Sequence, residues 1–419
     1  MKVMRYFVES YGCAMNRGEG EQLAREMDAL GHERVFSDAD ADIIVLNTCT
    51  VVDATEKKMI RRMGEIGRAE KDVVVSGCMA KVQANRIEVR LPHAMILPPD
   101  QYGLFPGKAE SAFGRGAPVR RDYGPQEILP IAQGCLGKCT YCITKLARGR
   151  LVSRPEDEVL SDFKEMIDAG TKEVLLTAQD TACYGKDLGS SLPQLLRMML
   201  EFDGEYRIRI GMTNPDALDP VLDGILDCME DGRVYRFLHI PLQSGSNRIL
   251  RKMGRKYTVA RFMGIVNRAR ERFPDISIST DMITGFPGES EADHEKSAAL
   301  IRRLGADTVN ITRFSSRPGT EAAEMEGQVA GGVSKDRSAD LTRIKMAVEA
   351  GGNALMVGKT VRALVSEQGK PGTVIARTDN YRPVGIPGDI PLGTFIDAEI
   401  TGSAPTHLLG RQINTSNQC

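Results

Sequence analysis

Three thiols lie close together in one short segment near the middle of the chain. Cys135, Cys139 and Cys142 have three and then two residues between them. Three cysteines can each bind a different iron of a [4Fe–4S] cluster, which leaves the fourth iron free to bind a molecule that is not protein. Structural zinc needs four ligands, and a disulfide is disfavoured in so tight a loop, so we favour an iron–sulfur cluster over both.

Three further cysteines follow predicted strands in the N-terminal part of the chain. Cys13, Cys49 and Cys78 each come shortly after a strand, in an alternating strand and helix order that predicts a parallel sheet. Loops beyond the carboxyl ends of such strands converge on one crevice, so these thiols should face each other. A single cysteine of this kind is usually a small buried hydrophobe. Three at equivalent strand ends instead indicate a second iron–sulfur site with one open iron.

Strands and helices alternate regularly over residues 123–353, which predicts a parallel (β/α) barrel or part of one. Ligand contacts are expected in the loops that follow its strands. The candidates are Tyr141, Gln179, Asp180, Gln243, Ser244 and Gly285. The alternative for each loop is ordinary turn chemistry.

A basic run could contact a cofactor carboxylate or RNA phosphate, although a solvated helix face is the default. It consists of Arg248, Arg251, Lys252, Arg255 and Lys256.

A small β module is predicted over residues 355–419, after a change from helical to short alternating segments. Its cationic and aromatic side chains are candidates for phosphate contacts and base stacking. They are Lys359, Arg362, Arg377, Arg382, Arg411, Tyr381 and Phe395.

The sequence thus predicts three domains, residues 1–115, 123–353 and 355–419. The basic segment 115–122 is interpreted as a linker. The predicted fold class is α/β: a Rossmann-like parallel domain, a partial (β/α)6 barrel and a small antiparallel β-barrel.

The cysteine loop with Tyr141 directly before its last thiol resembles the radical S-adenosylmethionine (SAM) superfamily. This resemblance implies six β/α units. It also implies that the open iron binds SAM, which is cleaved to a 5′-deoxyadenosyl radical, and that the strand-end candidates contact SAM. Two three-cysteine sites in this order resemble the methylthiotransferase family, which implies two [4Fe–4S] clusters, the first of them delivering sulfur. The C-terminal module resembles the RNA-binding TRAM domain.

The family resemblance implies a tRNA methylthiotransferase that modifies an adenosine beside the anticodon. Segments 143–149, 211–215 and 237–241 most resemble the archaeal and eukaryal branch, which acts on N6-threonylcarbamoyladenosine. The alternatives within the family are isopentenyladenosine in tRNA and an aspartate of a ribosomal protein. The alternative from another class is a non-enzymatic, RNA-binding iron–sulfur electron carrier, which would need four cysteines for each cluster. A zinc-dependent RNA-binding protein is disfavoured for the same reason.

Composition and charge indicate what class of protein this is and in which compartment it works. A chain of 419 residues with 42% hydrophobic and 26% charged residues is typical of a globular protein with two or three domains. Its net charge of −1 requires any RNA site to be a local patch. Nine cysteines without a signal sequence or membrane span indicate a soluble protein of the reducing cytoplasm. We expect an electron donor such as ferredoxin or flavodoxin; the residues carry no signature of the oligomeric state.

Overall fold

The N-terminal part of the chain is a sheet covered by helices. The computed structural model describes residues 3–51, 53–69, 71–117 and 123–413, so most of the predicted linker, residues 118–122, lies outside the described residues. The elements are β1 (Arg5–Ser10), α1 (Ala14–Ala29), β2 (Glu33–Arg34), β3 (Ile43–Thr48), α2 (Asp53–Ile66), β4 (Asp72–Gly77), α3 (Cys78–Val82), α4 (Ala84–Glu88), β5 (Met95–Leu97) and α5 (Phe105–Phe113).

This N-terminal sheet has the strand order β2-β1-β3-β4-β5, and every pair of neighbours is parallel. All six residues of the central strand β3 are buried, as expected for a parallel strand with helices on both faces. The predicted parallel sheet is confirmed. Because the three central strands run in the same direction, the segments that follow them meet at one edge.

The central part contains most of the helices of the described chain. Its elements are β6 (Gln126–Pro130), β7 (Ala132–Gln133), α6 (Ile143–Arg148), β8 (Val152–Ser153), α7 (Glu156–Asp168), β9 (Glu173–Thr177), α8 (Leu192–Leu200), β10 (Arg207–Arg209), α9 (Pro215–Leu218), α10 (Leu222–Cys228), β11 (Phe237–His239), α11 (Asn247–Lys252), α12 (Val259–Arg272), β12 (Ser277–Thr284), α13 (Glu291–Leu304), β13 (Thr308–Arg313), α14 (Glu321–Glu324) and α15 (Gly331–Ala354).

Two three-stranded parallel sheets form a partial barrel in this region. Their orders are β10-β9-β6 and β11-β12-β13. Parallel bridges between Ile208 and Val234 and between Met212 and His239 join the sheets at β10 and β11. The six parallel strands confirm the predicted (β/α)6 arrangement. One buried cluster of apolar side chains runs through this barrel and its outer helices.

The C-terminal part is a closed five-stranded barrel, with the order β14-β15-β16-β18-β17. Its strands are β14 (Thr360–Gln368), β15 (Thr373–Thr378), β16 (Pro383–Pro387), β17 (Phe395–Ala404) and β18 (His407–Gln412). The sequence pattern predicts three of them. It misses β16 and β18. The strand β16 starts and ends with proline and has Gly385 at its centre, residues that are uncommon within strands. The pair β16–β18 is parallel and closes the otherwise antiparallel barrel.

The aromatic side chains proposed for base stacking are engaged within the protein. The Tyr381 ring lies against Tyr235 and Phe237 of the central part, with centroids 4.9 and 5.0 Å apart. The Phe395 ring is covered by the guanidinium groups of Arg207 and Arg362, at 4.8 and 5.4 Å. Both rings therefore help to dock the barrel onto the central part, and the expectation that they form a stacking surface for RNA stays a prediction.

The cations proposed for phosphate contacts are mostly paired with acidic groups. Arg362 pairs with Glu205, Arg377 with Glu367, Arg382 with Asp307 and Arg411 with Glu399. The exposed Lys359 has no such ion pair among the described residues. Basic residues of this barrel thus serve largely to join strands to each other and to the central part.

Candidate active site

The first cysteine triad lies at the carboxyl edge of the N-terminal sheet. Cys13 caps the start of α1, Cys49 directly follows β3, and Cys78 is the first residue of α3. The Cys49 thiol lies against the backbone that precedes Cys13, since a Cβ added to Gly12 would stand 2.7 Å from its Sγ. Cys49 and Cys78 are buried, whereas Cys13 is exposed. The predicted convergence of the three segments on one edge is confirmed.

The turn before Cys78 depends on a glycine. Gly77 has φ +84° and ψ −167°, a region that is essentially restricted to glycine. An added Cβ would meet the carbonyl oxygen of Thr48 at 2.2 Å. The absence of a side chain at Gly77 therefore allows the backbone before Cys78 to lie against the backbone before Cys49.

Gly77→Ala is expected to destabilise the chain by at least the ~1–3 kcal/mol of one strained residue, because the contact with Thr48 adds to the backbone strain. Denaturant unfolding measures the effect. Gly107→Ala is the matched control, since Gly107 has φ compatible with alanine in α5 and open space around its Cβ position. Equal stability of the two variants would contradict the assigned role of Gly77.

The second triad lies in the loop before α6. The Gly137 N–H donates to Cys135 Sγ at 3.2 Å, and a Cβ on Gly137 would contact the sulfurs of Cys135 and Cys139 at 3.2 and 3.7 Å. Cys142 caps the start of α6. Burial raises the pKa of Cys135 to about 11 and also raises that of Cys142. A metal bound to such thiols would favour their thiolate forms.

The side chains of the two triads are not arranged around a single metal ion. Among the side chains that the structure describes, no three His, Cys, Asp or Glu groups are close enough to share one metal ion. A cluster takes each thiolate on a different iron, so its ligands stand farther apart than those of mononuclear zinc. At Gly137 an added side chain would press against the sulfurs of Cys135 and Cys139, so glycine leaves these two thiols uncovered on that side.

A cavity of about 200 Å³ opens beside this loop. Its walls include Leu136, Gly137, Lys138, Cys139, Asp180, Cys183, Lys186, Asn214, Asp216, Ala217, Gly254, Arg255 and Lys256. Of the predicted ligand contacts, Asp180 lines it. That carboxylate accepts hydrogen bonds from the backbone N–H and side-chain amide of Asn214, at 3.1 and 2.9 Å, and burial raises its pKa. Polar groups thus surround an opening next to the Cys139 thiol.

Two other predicted contacts support the cysteine loop instead of lining this cavity. Gln179 Oε1 accepts a hydrogen bond from the Gly134 N–H at 2.5 Å. The Tyr141 ring packs edge-on against Phe286, with centroids 6.1 Å apart. Both residues therefore fix the conformation of the loop that carries the second triad.

The remaining predicted contacts lie at the ends of later barrel strands. Gln243 has φ +77° and its N–H donates to the Asp281 carbonyl at 2.7 Å. The buried Ser244 hydroxyl accepts from the Ser246 N–H at 3.2 Å. Gly285 packs against α15, where an added Cβ would meet Ser334 Oγ at 2.4 Å. None of these three residues lines the cavity beside Cys139.

Two arginines contact the cysteine triads, and neither was singled out as a ligand partner from the sequence. Arg255 Nη1 donates to Cys139 Sγ at 2.9 Å, and Arg148 Nε donates to Cys78 Sγ at 3.4 Å. Arg255 belongs to the predicted basic run, which is a weak signal for a site. Arg148 follows Cys142 by six positions in sequence, but nothing local indicates that it is buried.

Arg255→Met is expected to lower the rate of SAM cleavage, because it removes the hydrogen-bond donor to Cys139. Loss of a residue that supports a metal ligand typically lowers activity by about 10–100-fold. The assay is 5′-deoxyadenosine formation without RNA. Arg272→Met is the control, since this exposed arginine of the same barrel pairs with Asp227 and Glu230 at the surface. An Arg255 variant that matched this control would contradict the assignment.

Three regions of the chain match known family models in the order in which the structure presents them. Residues 5–98 match an uncharacterised protein family, UPF0004, residues 129–301 the radical SAM superfamily, and residues 354–413 the TRAM domain. The solved structure of TsrM, a radical SAM methyltransferase from Kitasatospora setae, shares the fold. It covers 77% of this chain and 77% of its own, with a TM-score of 0.58 and 14% identity. The fold and the cysteine loop define a radical SAM enzyme.

Relatives that align with nearly the whole chain specify the family. A probable threonylcarbamoyladenosine tRNA methylthiotransferase of Pyrococcus horikoshii is 41% identical over 98% of this chain and 100% of its own. The human threonylcarbamoyladenosine tRNA methylthiotransferase is 32% identical over 98% of this chain and 74% of its own. A tRNA-2-methylthio-N(6)-dimethylallyladenosine synthase of Erythrobacter litoralis is 31% identical over 98% and 97%. The chain belongs to the radical SAM methylthiotransferase family.

Membership of the radical SAM superfamily implies one [4Fe–4S] cluster and SAM. The described residues contain no helix that is both long and apolar enough to cross a membrane.

Proposed function

We propose that this enzyme converts N6-threonylcarbamoyladenosine beside the anticodon of tRNA to its 2-methylthio derivative. The substrate is favoured because the Pyrococcus relative named for it is 41% identical, against 31% for the relative named for dimethylallyladenosine. In this proposal Cys135, Cys139 and Cys142 hold the radical cluster, and Asp180 and Arg255 face the SAM beside it. A second [4Fe–4S] cluster, the sulfur donor, is held by the other triad, Cys13, Cys49 and Cys78.

The observation that carries this proposal is the packing between the two helices that begin at the two cysteine triads. The helix α3, which begins at Cys78, packs against α6, which begins directly after Cys142. Arg148, the last residue of α6, reaches the Cys78 sulfur. With a rise of 1.5 Å per residue, α6 is only about 9 Å long. A sulfur donor at the first triad would therefore stand next to a radical generated at the second.

The chemistry requires such an arrangement. When bound, the radical cluster and SAM supply one-electron chemistry that removes a hydrogen atom from an unactivated C–H bond. A side-chain acid or base cannot do so at neutral pH. The residues of the chain hold the ligands, orient them and limit the access of water. In this role the Gly134–Gln179 hydrogen bond and the Arg255–Cys139 contact keep the loop in one conformation.

The proposal also specifies partners and location. An electron donor such as ferredoxin or flavodoxin would reduce the radical cluster. The tRNA would contact exposed cations near the cavity, such as Lys138, Lys186 and Lys256, and those of the C-terminal barrel, such as Lys359. A tRNA substrate implies a cytoplasmic enzyme.

Mass spectrometry of tRNA nucleosides, with and without the gene, tests the proposed function. We expect loss of 2-methylthio-N6-threonylcarbamoyladenosine and accumulation of its unthiolated precursor when the gene is absent. Loss of the 2-methylthio derivative of isopentenyladenosine instead would reassign the tRNA substrate. An unchanged nucleoside profile would overturn the tRNA proposal and direct the search to a ribosomal-protein aspartate.

A further inference from the structure

Arg148 is a buried arginine at the junction of the two cysteine triads. Its side chain is 1% exposed and that of its partner Glu19 is 2% exposed. Three of its nitrogens are engaged: Nη1 pairs with Glu19, Nη2 donates to Asn16 Oδ1 at 2.8 Å, and Nε donates to Cys78 Sγ at 3.4 Å. Burial lowers the pKa of Arg148, but the attractions of Glu19, Cys78 and Tyr102 together outweigh this effect and hold the pKa well above its ordinary value. The guanidinium is therefore a fixed positive charge.

The partners of Arg148 extend its contacts to the backbone beside the other two thiols. The Asn16 side-chain amide donates to the carbonyls of Tyr11 and Thr48, at 2.9 and 2.8 Å. Tyr11 lies two positions before Cys13, and Thr48 directly precedes Cys49. One residue of the central part of the chain thus connects to all three segments of the N-terminal triad.

Protein stability alone does not explain a charge pair in this place. Desolvation of two buried charges offsets most of their attraction, and well-packed apolar residues are often at least as stabilising. The same guanidinium has a specific use beside a cluster ligand, because hydrogen bonds and positive charge at the sulfurs raise the reduction potential of an iron–sulfur cluster.

We propose that Arg148 is a positioning residue for the N-terminal cluster: it donates to the Cys78 thiolate, sets the charge around that cluster and holds it at a fixed place relative to the radical site. This inference rests on the proposed function, which assigns a cluster to Cys13, Cys49 and Cys78. Glu19 is the counter-charge that moderates the effect of Arg148. The two residues should therefore shift the properties of the cluster in opposite directions.

The test uses the full-length chain with Cys135, Cys139 and Cys142 replaced by alanine and with clusters reconstituted, so that any cluster present is the N-terminal one. Redox titration followed by electron paramagnetic resonance gives its midpoint potential. We expect Arg148→Met to lower the potential and Glu19→Gln to raise it. Arg150→Met, which removes an exposed arginine two positions away, should leave it unchanged. A purely structural role would not produce shifts of opposite sign.

A charge-balanced variant keeps the proposal testable if the single variants fail to fold. Arg148→Met combined with Glu19→Gln leaves no uncompensated buried charge, so we expect it to retain the cluster, with a potential between those of the two single variants. In the chain with all its cysteines, the same double variant should form 5′-deoxyadenosine but lose methylthiolation by 10–100-fold.

The outcomes separate the two proposals. Absence of any cluster from the chain that lacks the second triad would overturn the second-cluster proposal and this inference with it. A cluster whose potential and spectrum are the same in the parent, Arg148→Met and Glu19→Gln chains would overturn the role of Arg148 and leave the proposed function standing.

Discussion

Cys139→Ala is expected to abolish the formation of 5′-deoxyadenosine from SAM. The thiol of Cys139 is held by Arg255 at 2.9 Å and borders the cavity in which SAM is proposed to bind. A cluster with an open iron already has only three protein ligands, so the loss of one leaves it without a stable attachment. Anaerobic turnover with a chemical reductant, followed by chromatography of the nucleoside product, measures the effect. We expect the yield to fall to that of the enzyme-free reaction.

The matched control is Cys228→Ala, which removes a buried thiol at the end of α10 that contacts the Pro193 carbonyl. This variant should cleave SAM at the parent rate, apart from a modest loss of stability. Undiminished 5′-deoxyadenosine formation by Cys139→Ala would refute the assignment of the radical cluster. Equal losses in both variants would show that the effect comes from folding and not from cluster binding.

Cys49→Ala is expected to separate SAM cleavage from sulfur transfer. Cys49 is buried at the end of β3, at the edge where Cys13 and Cys78 also lie. A variant without this thiol should fail to bind one of the two proposed clusters and should therefore contain about half as much iron. The radical loop is formed by a different part of the chain, so 5′-deoxyadenosine formation should persist. Methylthiolated nucleoside should fall below detection in anaerobic turnover with undermodified tRNA.

Iron analysis and unfolding measurements provide the controls for this second prediction. The backbone N–H of Cys49 donates to Met59 Sδ, and this contact does not depend on the thiol. We therefore expect the variant to fold and to keep the radical cluster. Full methylthiolation by Cys49→Ala, or an unchanged iron content, would contradict the second cluster.

The fold and the two triads could be predicted from local signals. The parallel N-terminal sheet follows from apolar runs such as β3, separated by helical patterns, and the three thiols follow its strands at equivalent places. The (β/α) alternation of the central part is similarly regular. The spacing of Cys135, Cys139 and Cys142 is itself local, because one short loop carries all three ligands. Each of these patterns lies within a few tens of consecutive residues, so it can be recognised without knowing which distant segments are in contact.

The arginine partners of the thiols were decided by the tertiary structure alone. Arg148 meets Cys78 and Glu19 across 70 and 129 positions of sequence, and Arg255 meets Cys139 across 116. The same holds for Tyr381, an apparent RNA-stacking ring that packs against Tyr235. The sequence shows an arginine or a tyrosine in a polar setting, for which an exposed position is the ordinary expectation. Whether such a side chain is buried depends on which distant segment folds over it, and that is a property of the packed chain.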